Sequence, residues 1–189
     1  MLASYVLFML IMFKDAIGLP LFLIWLQFPI YLVHQTEEYL LPGGFIEFVN
    51  SRIFRMDIEE GPLNAGNTFW INILFVWIAY PLCAAFSHWN LNVGAYLLYF
   101  TMLNGLTHVG AAIRLRRYNP GLAASLFLNI GVSGYSVAVL AGTGKIWWAT
   151  HIFAIAAGIG FHALLMGWIK KQAAKYRKSP GGAEKEQTA

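Results

Sequence analysis

Near the end of a long apolar run, His34-Gln35-Thr36-Glu37-Glu38-Tyr39 sets an imidazole and two carboxylates where Leu, Ile and Phe otherwise dominate. At 100° per residue, Gln27, Tyr31, His34 and Glu38 share one helical face within about 40°. Glu37 lies about 100° from Glu38 but about 60° from His34. His34 and Glu38 thus form an i, i+4 pair able to grip one ion or share one proton. A solvated helix end would also accommodate Glu37 and Glu38. Ionisable residues inside an apolar span are nevertheless rare without a role.

Two further stretches offer partners. Asn104, Thr107, His108 and Ala111 share a face, and so do His151, Ala154, Gly158 and His162. Counting back from the ends of their runs, His34, His108 and His162 fall about 9–12 Å from one boundary, so His34, Glu38, His108 and His162 are expected to meet in one layer. His151 should lie about 16 Å further out. Asn72 has a compatible depth, Asn129 is deeper, and His88 belongs at the opposite boundary.

Imidazoles with a carboxylate suit zinc or non-haem iron with an open position for water or substrate. Here the expected ligands of a divalent metal are His34, Glu38, His108 and His162, with Glu37 as base or second ligand. Without metal, Glu38 or Glu37 beside His34 is a general acid–base pair, and Asn104 or Asn72 can donate to a developing oxyanion. The residues leave both chemistries open and favour metal slightly, because there are more ligand-capable groups than a dyad uses. Arg114, in the basic turn Arg114-Leu115-Arg116-Arg117, is the candidate for attracting an anionic substrate group. A topology signal explains that turn at least as well.

The elements that must position these groups are membrane helices. Of 189 residues, 58% are hydrophobic and 12% charged, which points to a polytopic membrane protein, all-α, in one domain. The single Cys83 excludes an intramolecular disulfide. Spans are expected at about 18–40, 67–88, 92–115, 121–142 and 146–170, five in all, or six if residues 1–17 also cross. Residues 1–13 alone reach only about 20 Å as a helix, so a partial span, an interfacial helix or a signal-like start all fit. Pro29 and Pro81 are expected to bend their helices, and Pro42-Gly43-Gly44 to end the first one. Residues 45–56 read as an amphipathic helix along the membrane surface, with Asn50 on its polar side and Phe54 out of place. Residues 57–66 read as a turn-rich loop. Residues 171–189 read as a basic, disordered tail.

With five spans, eleven of the thirteen Lys and Arg residues fall on one side, and Lys14 and Lys145 on the other. The positive-inside bias puts the Arg114 turn and the C-terminus in the cytoplasm, for a multi-pass protein of the inner (plasma) membrane.

At His34-Gln35-Thr36-Glu37-Glu38-Tyr39, followed by Pro42-Gly43-Gly44-Phe45, the chain resembles the bacterial integral-membrane family named for its His-x-x-Glu-Glu (HXXEE) motif. Asn104-Gly105-Leu106-Thr107-His108 matches that family's Asn-x-x-x-His, and Arg116-Arg117-Tyr118-Asn119-Pro120-Gly121-Leu122 resembles its next segment. The resemblance covers roughly residues 20–170. The family's His-x-x-x-Arg motif is missing or replaced, with His108 and Arg114 as the nearest substitute. The resemblance implies a membrane enzyme of unassigned reaction.

The expectation is a membrane enzyme with an intramembrane His/Glu site near the cytoplasmic face, acting on a hydrophobic or lipid-like small molecule by hydrolysis or oxidation. Its partners are membrane lipid and that small molecule; nucleic acid is not expected. The rival is a proton- or metal-ion-handling transporter or binding protein, in which His151 would extend the path outward. A third reading is a structural or partner-binding membrane protein with polar helix contacts.

Overall fold

A computed structural model describes residues 1–57 and 61–177. It is an all-α bundle of α1 (Leu2–Tyr39), α2 (45–53), α3 (Ala65–Phe86), α4 (Leu91–Leu115), α5 (Leu122–Gly142) and α6 (Trp148–Arg177). By length and composition α1, α3, α5 and α6 can cross a membrane. Helix α4 is less apolar because it stands in the middle, packed against all four, and spends its polar residues inward. At 25 residues it is about 37 Å long, enough to span.

Close approach is built into α4. A Cβ on Gly105 would fall 2.9 Å from Asn129 Cβ on α5, and one on Gly158 of α6 would fall 2.5 Å from Leu103 of α4. Small residues at such crossings bring backbones together and let dispersion hold the helices. The main core lies on the far side of the His34 layer, around Leu23, Ile24, Val76, Tyr80, Leu98 and Leu140.

Helix α1 breaks at Gly18, whose φ of 76° and ψ of 160° suit glycine and interrupt the helix. Pro20 sits in the first turn after that break. Pro29 keeps helical dihedrals. In α3 the strain of Pro81 is met upstream, where Ile73–Ala79 adopts the wider i→i+5 turn. The same wide turn occurs at Phe48–Ile53 in α2 and Ser125–Val132 in α5.

Two expectations are corrected. Helix α6 runs to Arg177, past the expected end at 170, and Arg177 Nη2 donates to the Phe54 carbonyl at 2.9 Å. The rest of the tail, and Ile58 to Glu60 of the expected turn-rich loop, lie outside the described residues. Helix α2 covers one end of the bundle with Glu47 and Arg52 exposed, as an interfacial helix does, but its faces differ from those expected. Asn50, assigned to the polar side, is fully buried and clamps Leu63, accepting from its N–H at 3.1 Å and donating to its carbonyl at 2.8 Å. The wide turn is the reason. Phe54 N–H bonds to Val49 O at 3.1 Å, five residues back, so Phe54 joins Val49 against Leu63 and Ile169. A wheel drawn at 100° per residue misplaces both.

Candidate metal centre

His34, Glu38 and His108 come together. Glu38 Oε1 lies 3.4 Å from His34 Nε2 and 3.3 Å from His108 Nε2, and one ligand atom from each residue falls within 4.8 Å of the others. All three are buried, at 0%, 5% and 5% exposure. The i, i+4 spacing on α1 supplies two of the groups and α4 the third. The imidazoles meet edge to face, 4.7 Å between centroids.

The other hydrogen bonds set the ring tautomers. Asn119 Nδ2 donates to the His108 carbonyl at 2.9 Å, which turns its Oδ1 toward His108 Nδ1, 2.7 Å away. That oxygen only accepts, so Nδ1 carries the hydrogen and Nε2 presents a lone pair to Glu38. Asn104 Nδ2 donates to His34 Nε2 at 3.0 Å, and His34 Nδ1 faces Ser125 Oγ at 3.5 Å. The His108 Nε2 lone pair and a Glu38 oxygen therefore share one small volume with His34 Nε2, which accepts from Asn104. The facing His108 nitrogen and Glu38 oxygen, both acceptors, hold together there with a cation between them, a proton or a metal ion.

Glu37 is placed elsewhere. Its Oε1 accepts from Tyr118 Oη at 2.7 Å and from Ala123 N–H at 2.9 Å, and its Oε2 accepts from Ala124 N–H at 2.6 Å. These amides open α5, where unpaired N–H groups and the positive end of the helix dipole favour a carboxylate. The role of base or second ligand expected for Glu37 is not the one its position serves. Tyr118, in the loop before α5, has its phenol pushed up to about 12 by partial burial and by Glu37.

Gly121 forms the floor. Its φ is 96°, and a Cβ there would stand 2.8 Å from Cε1 of both His34 and His108 and 3.0 Å from Glu38 Cγ. No side chain fits between this backbone and the three groups.

A cavity of about 250 Å³ opens beside Glu38 and His108. Its polar end includes Glu38, His108, Asn104, Asn119 and Asn72; its apolar end is closed by Phe45, Phe48 and Val49 of α2 and by Leu165 and Ile169 of α6. Phe45 lies 5.6 Å from the His108 ring. His162, expected as a fourth ligand, lines this cavity but stands outside the 4.8 Å group. Its Nδ1 donates to Gly158 O at 2.7 Å, leaving Nε2 as an acceptor, and its ring lies 5.1 Å from Phe100. Asn72 also lines the cavity and accepts from Gln35 Nε2 at 2.8 Å. Arg114 is exposed and is not among the lining residues, so the structure does not bring it to the site. His151 bonds Tyr99 Oη at 2.9 Å, and His88 accepts from Trp25 Nε1 at 3.0 Å; neither reaches the trio.

Asn119 and Gly121 escaped the sequence reading as site residues. Their signal was the segment Tyr118-Asn119-Pro120-Gly121-Leu122, in which a polar residue and a glycine flank a proline just before a helix.

Comparison with curated proteins and with solved structures finds no match for the chain. Among protein families, the sequence profile described as a protein of unknown function with HXXEE motif matches residues 25–136. That range takes in α1 from Trp25 onward, α2, α3, α4 and most of α5, and with them His34, Glu38, His108 and Asn119. More than half of the chain is matched, with the motif residues inside the matched range, and the protein is therefore a member of the HXXEE family.

Proposed function

We propose that this protein is an integral-membrane enzyme in which His34, Glu38 and His108 hold one divalent metal, zinc or iron, next to a cavity for a hydrophobic or lipid-like substrate. The observation that carries the reading is the convergence of one ligand atom from each of His34, Glu38 and His108 within 4.8 Å. Two His and one carboxylate make a ligand set used by catalytic zinc and by non-haem iron, with positions left for water or substrate. Such a metal supplies an activated water for hydrolysis, or a centre for oxidation.

The surroundings fit that use. Asn119 orients His108, and Asn104 stands beside His34 with an amide available to substrate oxygen. His162, across the cavity, offers a basic nitrogen to a substrate proton. The cavity joins this polar end to an apolar one, which selects an amphiphile. The bias of eleven basic residues to two supports an orientation with the end of the bundle carrying α2 on the cytoplasmic side of the inner membrane.

The test is metal content and affinity. Protein purified without chelator should carry zinc or iron in about equimolar amount, and His108→Ala and Glu38→Gln should each abolish it while the fold persists. Metal-free protein that takes up neither ion defeats the proposal.

A transporter or ion-binding protein is the second reading. It draws support from a buried polar line inward of the trio, in which Ser133 Oγ donates to Gln27 Oε1 at 2.7 Å and Asn129 has neither amide atom paired. His151 stands apart from that line. Asn129→Leu separates the readings: it stops ion movement through the line and leaves metal affinity at the trio unchanged.

A further inference from the structure

A second cavity of about 230 Å³ lies between α3, α4 and α6. Its walls include Phe75, Ala79, Leu97, Phe100, Ala157 and Phe161, and no charged residue lines it. On each helix its residues are further from the α2 end than the residues of the metal-site cavity. Phe75 and Ala79 follow Asn72 on α3, Phe100 precedes Asn104 on α4, and Ala157 and Gly158 precede His162 on α6. Between Ala154 and Phe161 it extends about 10 Å along α6.

The two cavities meet at one aromatic partition. Tyr31 faces the first and Tyr80 the second, 5.0 Å apart; His162 faces the first, with Phe100 5.1 Å and Phe161 5.8 Å away on the second. Phe75 and Phe161 meet edge to face at 4.3 Å across the gap between α3 and α6. The wide turn at Ile73–Ala79 bears part of this wall, and Ala157 is exposed toward the surroundings of the bundle.

We propose that this cleft holds the hydrocarbon chain of a membrane lipid whose polar end lies at the aromatic partition bordering the cavity of Glu38 and His108. The polarity argues for that occupant. Polar groups face the basic end of the bundle and the uncharged cleft runs from them toward the middle of the apolar helices, the direction in which a lipid of the adjacent leaflet points. The step from bound chain to substrate rests on the metal-site reading of the previous section.

The test uses the full chain in phosphatidylethanolamine vesicles doped with phosphatidylethanolamine bearing a photoreactive diazirine at mid-chain. Cross-links are mapped by mass spectrometry, and zinc binding is measured on the same samples. Labelling should concentrate on Phe161, Ala157 and Phe100, and be lost in Ala157→Trp and, from the opposite wall, in Ala79→Leu. Labelling no denser there than at Leu126 and Phe127 on the exposed side of α5, or insensitive to both substitutions, overturns the chain site. Zinc binding without focused labelling removes the cleft proposal alone; focused labelling without zinc binding removes the metal reading alone.

Discussion

The carboxylates of Glu37 and Glu38 diverge. Glu38 Oε1 lies 3.3 Å from His108 Nε2, whereas Glu37 Oε2 accepts a 2.6 Å bond from the Ala124 amide on another helix. One step of about 100° along α1 separates a group facing two imidazoles from a group that anchors α1 to α5. Glu38→Gln should therefore abolish zinc or iron binding with little change in thermal stability. Glu37→Gln should leave metal affinity nearly unchanged and cost about 1–2 kcal/mol of stability, the worth of a charged group at a helix N-terminus. Isothermal titration and thermal unfolding in detergent read the two quantities separately, and a reversed pattern would contradict the assignment.

Gly121→Ala should damage the site and the fold together. The added Cβ meets both imidazoles at 2.8 Å, and a φ of 96° disfavours any residue but glycine. The left-handed backbone alone costs roughly 1–2 kcal/mol. Metal uptake measured by elemental analysis should fall to background in whatever fraction remains folded.

Asn119 acts through His108. With Asn119→Ala the ring loses the acceptor that fixes its tautomer, and metal affinity should drop about 10–100-fold, as for other partners behind metal-bound His. Asn119→Asp keeps an acceptor at Nδ1 and should recover much of that affinity. A purely structural role would give equal losses for both substitutions.

Tyr118 supplies a pH signature. Its phenol is raised to about 12 by partial burial and by Glu37. A raised pKa means that the folded state holds the proton more tightly. The stability this contributes is complete below the ordinary tyrosine value near 10 and disappears as pH climbs through about 12. Wild-type melting temperature should fall more steeply across that window than that of Tyr118→Phe, measured in parallel.

Much of this arrangement was legible in the residues. The 3.6-residue period put Gln27, Tyr31, His34 and Glu38 on one face, and all four are buried on the bundle side of α1. Counting depth from the helix ends brought His108 to the same level. What failed did so for physical reasons. Depth fixes a layer but not an azimuth, so His162 reached the cavity without joining the trio. A carboxylate next to a motif partner need not share its work, because the unpaired amides of α5 compete for Glu37 and nothing local on α1 announces them. The faces of α2 were misread because its turns are wider than the period assumed. Arg114 was assigned by proximity along the chain to His108, while the helix turns it outward.

The wide turn at Ser125–Val132 has a further consequence for how this sequence can change. Such a turn is an α-helix with one surplus residue, and removing that residue restores ordinary winding. Deletion of a single position there should therefore leave Ser133 facing Gln27 as well as the Glu37 anchor at Ala123 and Ala124 in place. The extra amino acid is thus absorbed locally, and a one-residue deletion in that stretch should be better tolerated than one in the ordinarily wound part of α5.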